Sequence, residues 1–504
     1  MRIRTVIRMG LSGLLILAVL LLGYAADDPK ATALQAIDRN QDQIAKVGDA
    51  IFSFAELGMQ EKETSALCIR VLKQMGYKVE TGISGFPTAI MATYGSGKPV
   101  IAVHTEYDAV PSGSNTAGSI QRKEVVQGAP GHAEGHNANA AVWIGAAWGV
   151  KQAIDQHRLK GTVRFISAPA EEQLVARPFF VRDGYFKDVD AAFHDHVGSG
   201  LGTGYGVRQY AVVSVEYEFF GKTAHASAAP WTGVNALNAV ELMDIGWGLM
   251  RQHLQPSQRS HSVITSGGVQ PNVVPEYAKI WFYFREATYE GTDALYKKAK
   301  DMAQGAALMT GCTFKETVLS ACWPTRDNKT IAEVVQKNIE MVGMPQWSAE
   351  EVTLAKQIQK AAGVKEIGLE IKIEPLRQAT QGTSSNDSGD ITWTVPHGRV
   401  TFPSNVPGVP AHHWAAATAE ATSIAHKGEL AGAKVLAASM VDLLANPELL
   451  AKAKETFKAE VAGTAYHPLL PPGQKPPLKM NEEEMAKYRE QMRPFYFKGD
   501  ITFK

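Results

Sequence analysis

Three short apolar runs, each of strand length and each running into histidines or carboxylates, constrain this 504-residue chain more than any other feature. KPVIAV leads into His104, TVRFISA precedes Glu171, and DAAF leads into His194. Between the first two lies ANAAVWIGAAWGVKQAI from Ala138, long and Ala-rich as a buried helix should be. From about Ala31 to Lys160 strands and helices alternate, which favours a parallel sheet covered by helices. Ligands of such sheets gather outside the carboxyl ends of the strands, where this chain places its polar residues.

The hydrophobic period changes near Tyr210. VVSVEYEFF sets Val213, Val215, Tyr217 and Phe219 on one face and Ser214, Glu216 and Glu218 on the other, which predicts a sheet with one wet face. A helix from Val234 to Leu254, strands at SVITSGG and AKIWFYF, a helix from Asp293 to Ala307 and a strand near Phe314 follow. That βαββαβ order describes a small two-layer domain inserted in a larger one. The fold class is therefore α/β, with a mainly parallel-sheet domain over residues 27–208 and 326–504 and an insert over 209–325. Helices return from Ile331, and the proline-rich PPGQKPP and charged NEEEMAKYREQM read as a tail wrapping the surface.

Composition excludes several classes. Lysine plus arginine (51) balances aspartate plus glutamate (51) with no long basic run, so nothing attracts a nucleic acid. Three cysteines cannot make a disulfide scaffold; free buried thiols are the default, with a Cys312–Cys322 pair left open should the compartment be oxidising. Arg2, Arg4 and Arg8, the uncharged stretch Met9–Ala26 and the small residues Gly23, Ala25 and Ala26 form a signal peptide over residues 1–26. The expectation is secretion to a bacterial periplasm, with membrane contact only during export; the alternative is an uncleaved anchor.

The chemistry points to metal. There is no G-x-S-x-G elbow, no phosphate-binding G-x-x-x-x-G-K-[ST], no G-x-G-x-x-G and no H-E-x-x-H. Histidines and carboxylates cluster instead in HTEYD (His104, Glu106, Asp108), GHAEGHN (His132, Glu134, His136), PAEE (Glu171, Glu172), FHDHVG (His194, Asp195, His196) and PAHHW (His412, His413). A hydrolytic metal centre needs nitrogen and oxygen ligands from several elements, an open coordination position, and a carboxylate to take a proton from water. In PAEE one glutamate can bind metal while its neighbour serves as general base.

HTEYDAVPSG, GHAEGHNANAAVWIGAA, SAPAEE, VDAAFHDHVG, GKTAHASAAPWTGVNAL, GGVQPNVVP and VPAHHWAAATAEATSIAHKG, in this order, resemble the M20 metallopeptidase family, and within it the amidohydrolase branch. The resemblance implies a metallopeptidase catalytic domain, with the insert as a ferredoxin-like lid and dimerisation domain. It implies two divalent metal ions, Zn or Mn, with His136, Glu172, His196 and His412 as ligands and Glu171 as the general base. Glu106 and Asp108 fall where related two-metal peptidases place a ligand and the carboxylate that orients one. The branch has Cys where this chain has Glu134; a hard carboxylate there shifts preference from thiolate-friendly Zn toward Mn, or breaks the site. His225 resembles the histidine that reaches the opposite subunit's site and stabilises the oxyanion, while Asn272 and Arg285 resemble positions that meet the substrate's carboxylate. The implied activity is hydrolysis of the amide of N-acyl or N-aroyl amino acids, aminobenzoyl-glutamate being the branch's best-known type, by a homodimer. The alternatives are a di- or carboxypeptidase of the same fold and a catalytically silent binding protein.

Overall fold

A computed structural model describes residues 28–504; the expected signal peptide lies outside the described residues. Among the described residues no helix is long and apolar enough to cross a membrane. The described residues build twelve strands: β1 (Lys78–Thr81), β2 (Ile90–Ser96), β3 (Val100–Thr105), β4 (Gly161–Ser167), β5 (Ala191–Gly198), β6 (Gly206–Val207), β7 (Ala211–Phe220), β8 (Arg259–Ser266), β9 (Tyr277–Glu286), β10 (Thr313–Cys322), β11 (Arg326–Asp327) and β12 (His397–Pro403).

Six of them form one sheet in the order β1-β2-β4-β3-β5-β12. Strands β4, β3, β5 and β12 run parallel, and β1 and β2 add an antiparallel edge. One face of this sheet carries Ile101, Val103, Phe165, Phe193, Val400 and Phe402 into the largest core. That core is closed by the helix His136–His157, whose Ala-rich first three turns are buried on every side, and by the helix Ser423–Ala445. Burying each large apolar side chain contributes about 1.5–3 kcal/mol. The opposite face is apolar at Val100, Ala102, Ile166 and Ala192 and turns polar toward the carboxyl ends of the strands, where pairing sets His104 beside His194, His194 beside Arg399, and His196 beside Thr401.

Strands β10-β7-β9-β8 form a separate antiparallel sheet in that order. The helices Ala236–Met250 and Tyr289–Thr310 cover the face of Val213, Val215, Tyr217 and Phe219. The expected wet face is only partly wet. Glu216 and Glu218 pair with Lys279 and Lys315 at 2.8 Å each, but Ser214 is fully buried and accepts the Trp281 indole N–H at 2.9 Å. That end of the sheet packs through Val212, Cys322 and Tyr283 on Leu174, which lies just after the paired glutamates. The short ribbon β6–β11 ties together the two places where the chain passes between the sheets.

All three cysteines are free and buried. Cys312 and Cys322 sit at opposite ends of β10, about 30 Å apart along an extended strand, so the pair left open by the sequence does not form. The tail does wrap back: Arg489 pairs with Glu56 and donates to the Gln60 carbonyl at 2.7 Å, and the Phe497 N–H donates to Ser53 Oγ at 2.9 Å.

Candidate metal centre

Each strand of the parallel sheet hands its residues to one end of the molecule. Glu106 and Asp108 follow β3, Glu171 and Glu172 sit on the turn after β4, and His194 and His196 lie in β5. Glu134 and His136 flank Gly135, whose φ of 107° starts the helix His136–His157. A Cβ at Gly135 would lie 2.6 Å from Glu420 Oε2, so glycine alone lets both neighbours face the cluster. Ala170 and His412 adopt left-handed backbone, at φ 56° and 62°. Such conformations are strained for residues with a Cβ and persist only where surrounding contacts impose them. Glu61 accepts the Ala170 N–H at 2.9 Å, and the His412 N–H donates to the Ala133 carbonyl at 2.9 Å.

The side chains then converge. His412 Nε2 lies 2.6 Å from Glu134 Oε2 and 3.1 Å from Glu172 Oε2, and His196 Nε2 lies 3.7 Å from Glu134 Oε1. His136 Nδ1 donates to the Asp108 carbonyl at 3.1 Å, with Asp108 Oδ1 at 3.4 Å, which frees its Nε2 for the cluster. That Nε2 is buried without a hydrogen-bond partner, 3.8 Å from Glu171 Oε2, and Glu172 Oε1 is likewise buried and unpartnered. Potential ligand atoms of Glu134, His136 and Glu172 lie within 4.8 Å of one another, as do those of Glu106, His136 and His196. Orphaned acceptors of nitrogen and oxygen type in one spot are what a divalent cation requires, so these residues fit a metal.

The electrostatics agree. Burial works against a charged His136, yet Asp108 and Glu172 hold its imidazole well above the ordinary range. Hydrogen bonds to Glu134 and Glu172 raise His412 to about 10. The acidic cluster thus gathers positive charge wherever it finds it. Burial raises Glu134 in turn, but His412, His136 and His196 outweigh it and bring it to about 2. Burial and the charge of Arg399 lower His196 to about 4, leaving it neutral and able to ligate at neutral pH. Glu171 goes the other way: burial, with Glu106, Asp387 and Glu172 nearby, raises it well above the carboxylate range, a direction suited to a group that must receive a proton.

Not every sequence candidate joins the cluster. Glu106 reaches it, but its carboxylate is already held by Arg177, by His194 at 2.9 Å and by Asn139 at 3.2 Å. Asp108 stands behind His136 and accepts the Glu172 N–H at 3.0 Å. His104 is turned away, accepting from Arg177 Nε at 3.0 Å and meeting His397 at 3.0 Å. His132 bonds the Ile51 carbonyl at 3.1 Å, and Asp195 faces Thr105 at 3.3 Å. His413 Nδ1 accepts the Ala415 N–H at 3.3 Å. Arg285, on β9, lines the cavity above the cluster. His225 and Asn272 do not line it; they are neighbours on the surface of the four-stranded unit, where the Ala226 N–H donates to the Asn272 carbonyl at 3.0 Å.

Four further residues matter that sequence reading missed. Asn386 donates its side-chain amide to Glu171 Oε1, and Asp387 beside it takes both the backbone N–H and the guanidinium of Arg177. Arg208 and Arg399 line the same cavity of about 420 Å³ as Glu134, Glu171 and Glu172. Arg399 had a readable signal, being a charge inside the apolar strand HGRVTFP. Asn386 had none, because it lies in an irregular serine-rich stretch.

Comparison with known proteins agrees with this geometry. Residues 207–308 match the family model of the peptidase dimerisation domain of M20 proteins. The chain is 32% identical over 473 residues to one of the component chains of the p-aminobenzoyl-glutamate hydrolase of Escherichia coli, covering 88% of this chain and 98% of that protein. It is 27% identical to the Xaa-Arg dipeptidase of Mus musculus, covering 86% of this chain and 93% of the relative. Its fold matches that of a dinuclear metal-binding peptidase of the M20 family from Bacillus subtilis, with a TM-score of 0.51 at 19% identity, over 81% of this chain and 99% of that one. With side chains able to hold a metal gathered at the strand ends and near full-length similarity at this level, the chain belongs to the M20 family of metal-dependent peptidases and amidohydrolases.

Proposed function

We propose that this protein hydrolyses the amide bond between an acyl or aroyl group and an amino acid, using two divalent metal ions held by Glu134, His136, Glu172, His196 and His412. The observation that carries this reading is the position of Glu171, buried against His136 Nε2 at 3.8 Å and facing the cavity beside the ligand cluster. Metal ions there would polarise the substrate carbonyl and make water more acidic. Glu171 takes the proton of the attacking water and returns it to the leaving nitrogen. Asn386 holds Glu171 Oε1, so that Oε2 is the oxygen free to move the proton. Asp108 fixes the His136 ring through Nδ1, an orienting role typical of carboxylates behind a ligating histidine.

The remaining parts of the reading concern assembly and place. His225 acts across a two-fold interface on the partner's site, with the four-stranded unit as dimerisation domain and lid, and Asn272 and Arg285 meet the substrate's polar end. The exposed position of His225 and Asn272 outside the cavity supports a role in another copy's site. Residues 1–26 direct export to the periplasm; a mature mass beginning at Asp27 in a periplasmic extract checks this. Glu134 in place of a thiolate favours Mn, or Zn bound through nitrogen and oxygen.

The deciding experiment joins elemental analysis of purified protein to a screen of N-benzoyl and N-acetyl amino acids and dipeptides with added Mn or Zn. The expected result is about two metals per chain and chelator-sensitive cleavage of N-acyl amino acids. Cleavage of dipeptides alone makes the protein a dipeptidase; stoichiometric metal without turnover makes it a binding protein.

A further inference from the structure

The cavity at the metal cluster has two chemically opposite halves. One half carries Glu134, Glu171 and Glu172, whose charge answers to metal. The other half carries three guanidinium groups, Arg208, Arg285 and Arg399, among the neutral polar side chains of Gln209, Ser384, Ser385 and Asn386. No carboxylate among the described residues forms an ion pair with Arg285 or Arg399, and the Nε of each is buried without a hydrogen-bond partner, as is Ser385 Oγ. Among the described residues Arg208 forms one ion pair, with Asp327 at 3.8 Å, and that carboxylate is already engaged by His397 at 2.7 Å. Burial and the neighbouring Arg208 lower Arg399 to about 9, and burial lowers Arg285. Asp327, Glu106 and Glu134 act on Arg399 only at a distance, without an ion pair, and partly buried guanidinium groups gathered in a cavity without a directly bonded carboxylate suit a ligand that supplies the anion.

The three arginines also come from two places. Arg285 stands on β9 of the four-stranded sheet; Arg399 stands on β12 and Arg208 follows β6, both belonging to the other unit. Anions offered to one set and to the other are therefore different groups of the ligand. We propose that Arg399 and Arg208 form a second anion subsite, distinct from Arg285, which reads a side-chain carboxylate and restricts the leaving amino acid to glutamate or aspartate. A guanidinium fork binds a carboxylate with two parallel, charge-assisted hydrogen bonds, so a neutral amide in its place loses much of the interaction. A cationic side chain meets two like charges and is rejected, which separates this chain from a peptidase that releases arginine.

This inference rests on the hydrolase reading, and its test keeps the two apart. Full-length, metal-loaded protein is assayed on N-benzoyl-L-glutamate, N-benzoyl-L-glutamine and N-benzoyl-L-arginine. The glutamate compound should exceed the glutamine compound in kcat/KM by about ten- to a hundredfold, with the arginine compound lowest. Arg399→Gln and Arg208→Gln should each bring the glutamate-to-glutamine ratio toward one, and Arg399→Lys should keep part of it, a pattern that general destabilisation does not produce. Arg208→Gln keeps the test open should Arg399→Gln fail to fold. Equal rates on the first two compounds in the unaltered protein, or a ratio that neither arginine variant moves, overturns the subsite. Should no amide be cleaved, the hydrolase reading fails, and calorimetric titration decides the subsite alone. Free L-glutamate binding at least about tenfold tighter than L-glutamine, and losing that advantage in Arg399→Gln, sustains it. Equal or absent binding overturns it.

Discussion

Glu171 and Asn386 carry the chemistry at the scale of single residues. Glu171→Gln removes the proton acceptor while keeping shape and volume, so kcat should fall by about a thousandfold with metal content unchanged. Unchanged turnover would remove Glu171 from the mechanism. Asn386→Ala leaves the carboxylate in place but unanchored, since the amide donated to Oε1 is lost. We expect kcat to fall about tenfold with KM little altered, the size of one hydrogen bond to a charged group. Glutamates 171 and 172 were legible as a pair because adjacent carboxylates at a strand end are chemically conspicuous. Asn386 was not, because its partner lies 215 residues away in the chain.

At the scale of elements, the tail and the segment between β10 and β11 meet at one buried carboxyl, that of Asp390. The Tyr466 hydroxyl donates to Asp390 Oδ1 at 2.8 Å, and the Trp323 N–H donates to Oδ2 at 3.1 Å. Burial nevertheless raises Asp390 from 3.8 to about 7. A folded-state pKa above the unfolded value means that the native state binds its proton more tightly. The stability this contributes is complete below about pH 4 and is lost as pH rises through about 7. Asp390→Asn cannot ionise and should lose less stability than the unaltered protein between about pH 5 and pH 8, by up to a few kcal/mol. Calorimetry at the two pH values checks this, and equal losses in both proteins contradict it. The elements themselves were largely readable: the change from buried runs to period-2 alternation at Tyr210 marks the passage into β7. The burial of Ser214 was not, because what covers that face is Leu174 and its neighbours, from another part of the chain.

For the whole molecule, the proposed exchange of His225 between subunits makes a quantitative expectation. Glu171→Gln and His225→Ala chains should each be nearly inactive alone. In an equal mixture allowed to exchange, about half the dimers are mixed, and each mixed dimer holds one complete site of two. Activity should therefore recover to about a quarter of normal. No recovery after demonstrated exchange would place His225 outside the partner's site.

Sequence by itself determined the chemical type of the centre and the kind of sheet that carries it. Strand periodicity, apolar run length and adjacent ligand-type side chains are all local properties, so they survive in a string of letters. Only the tertiary structure decided which candidates converge. Sheet order sets β12 beside β5 and so brings Arg399 to the histidine pair, while a left-handed turn brings His412, and not His413, onto Glu134 and Glu172. Those contacts depend on closing loops of some two hundred residues, and local pattern carries no record of where such loops end.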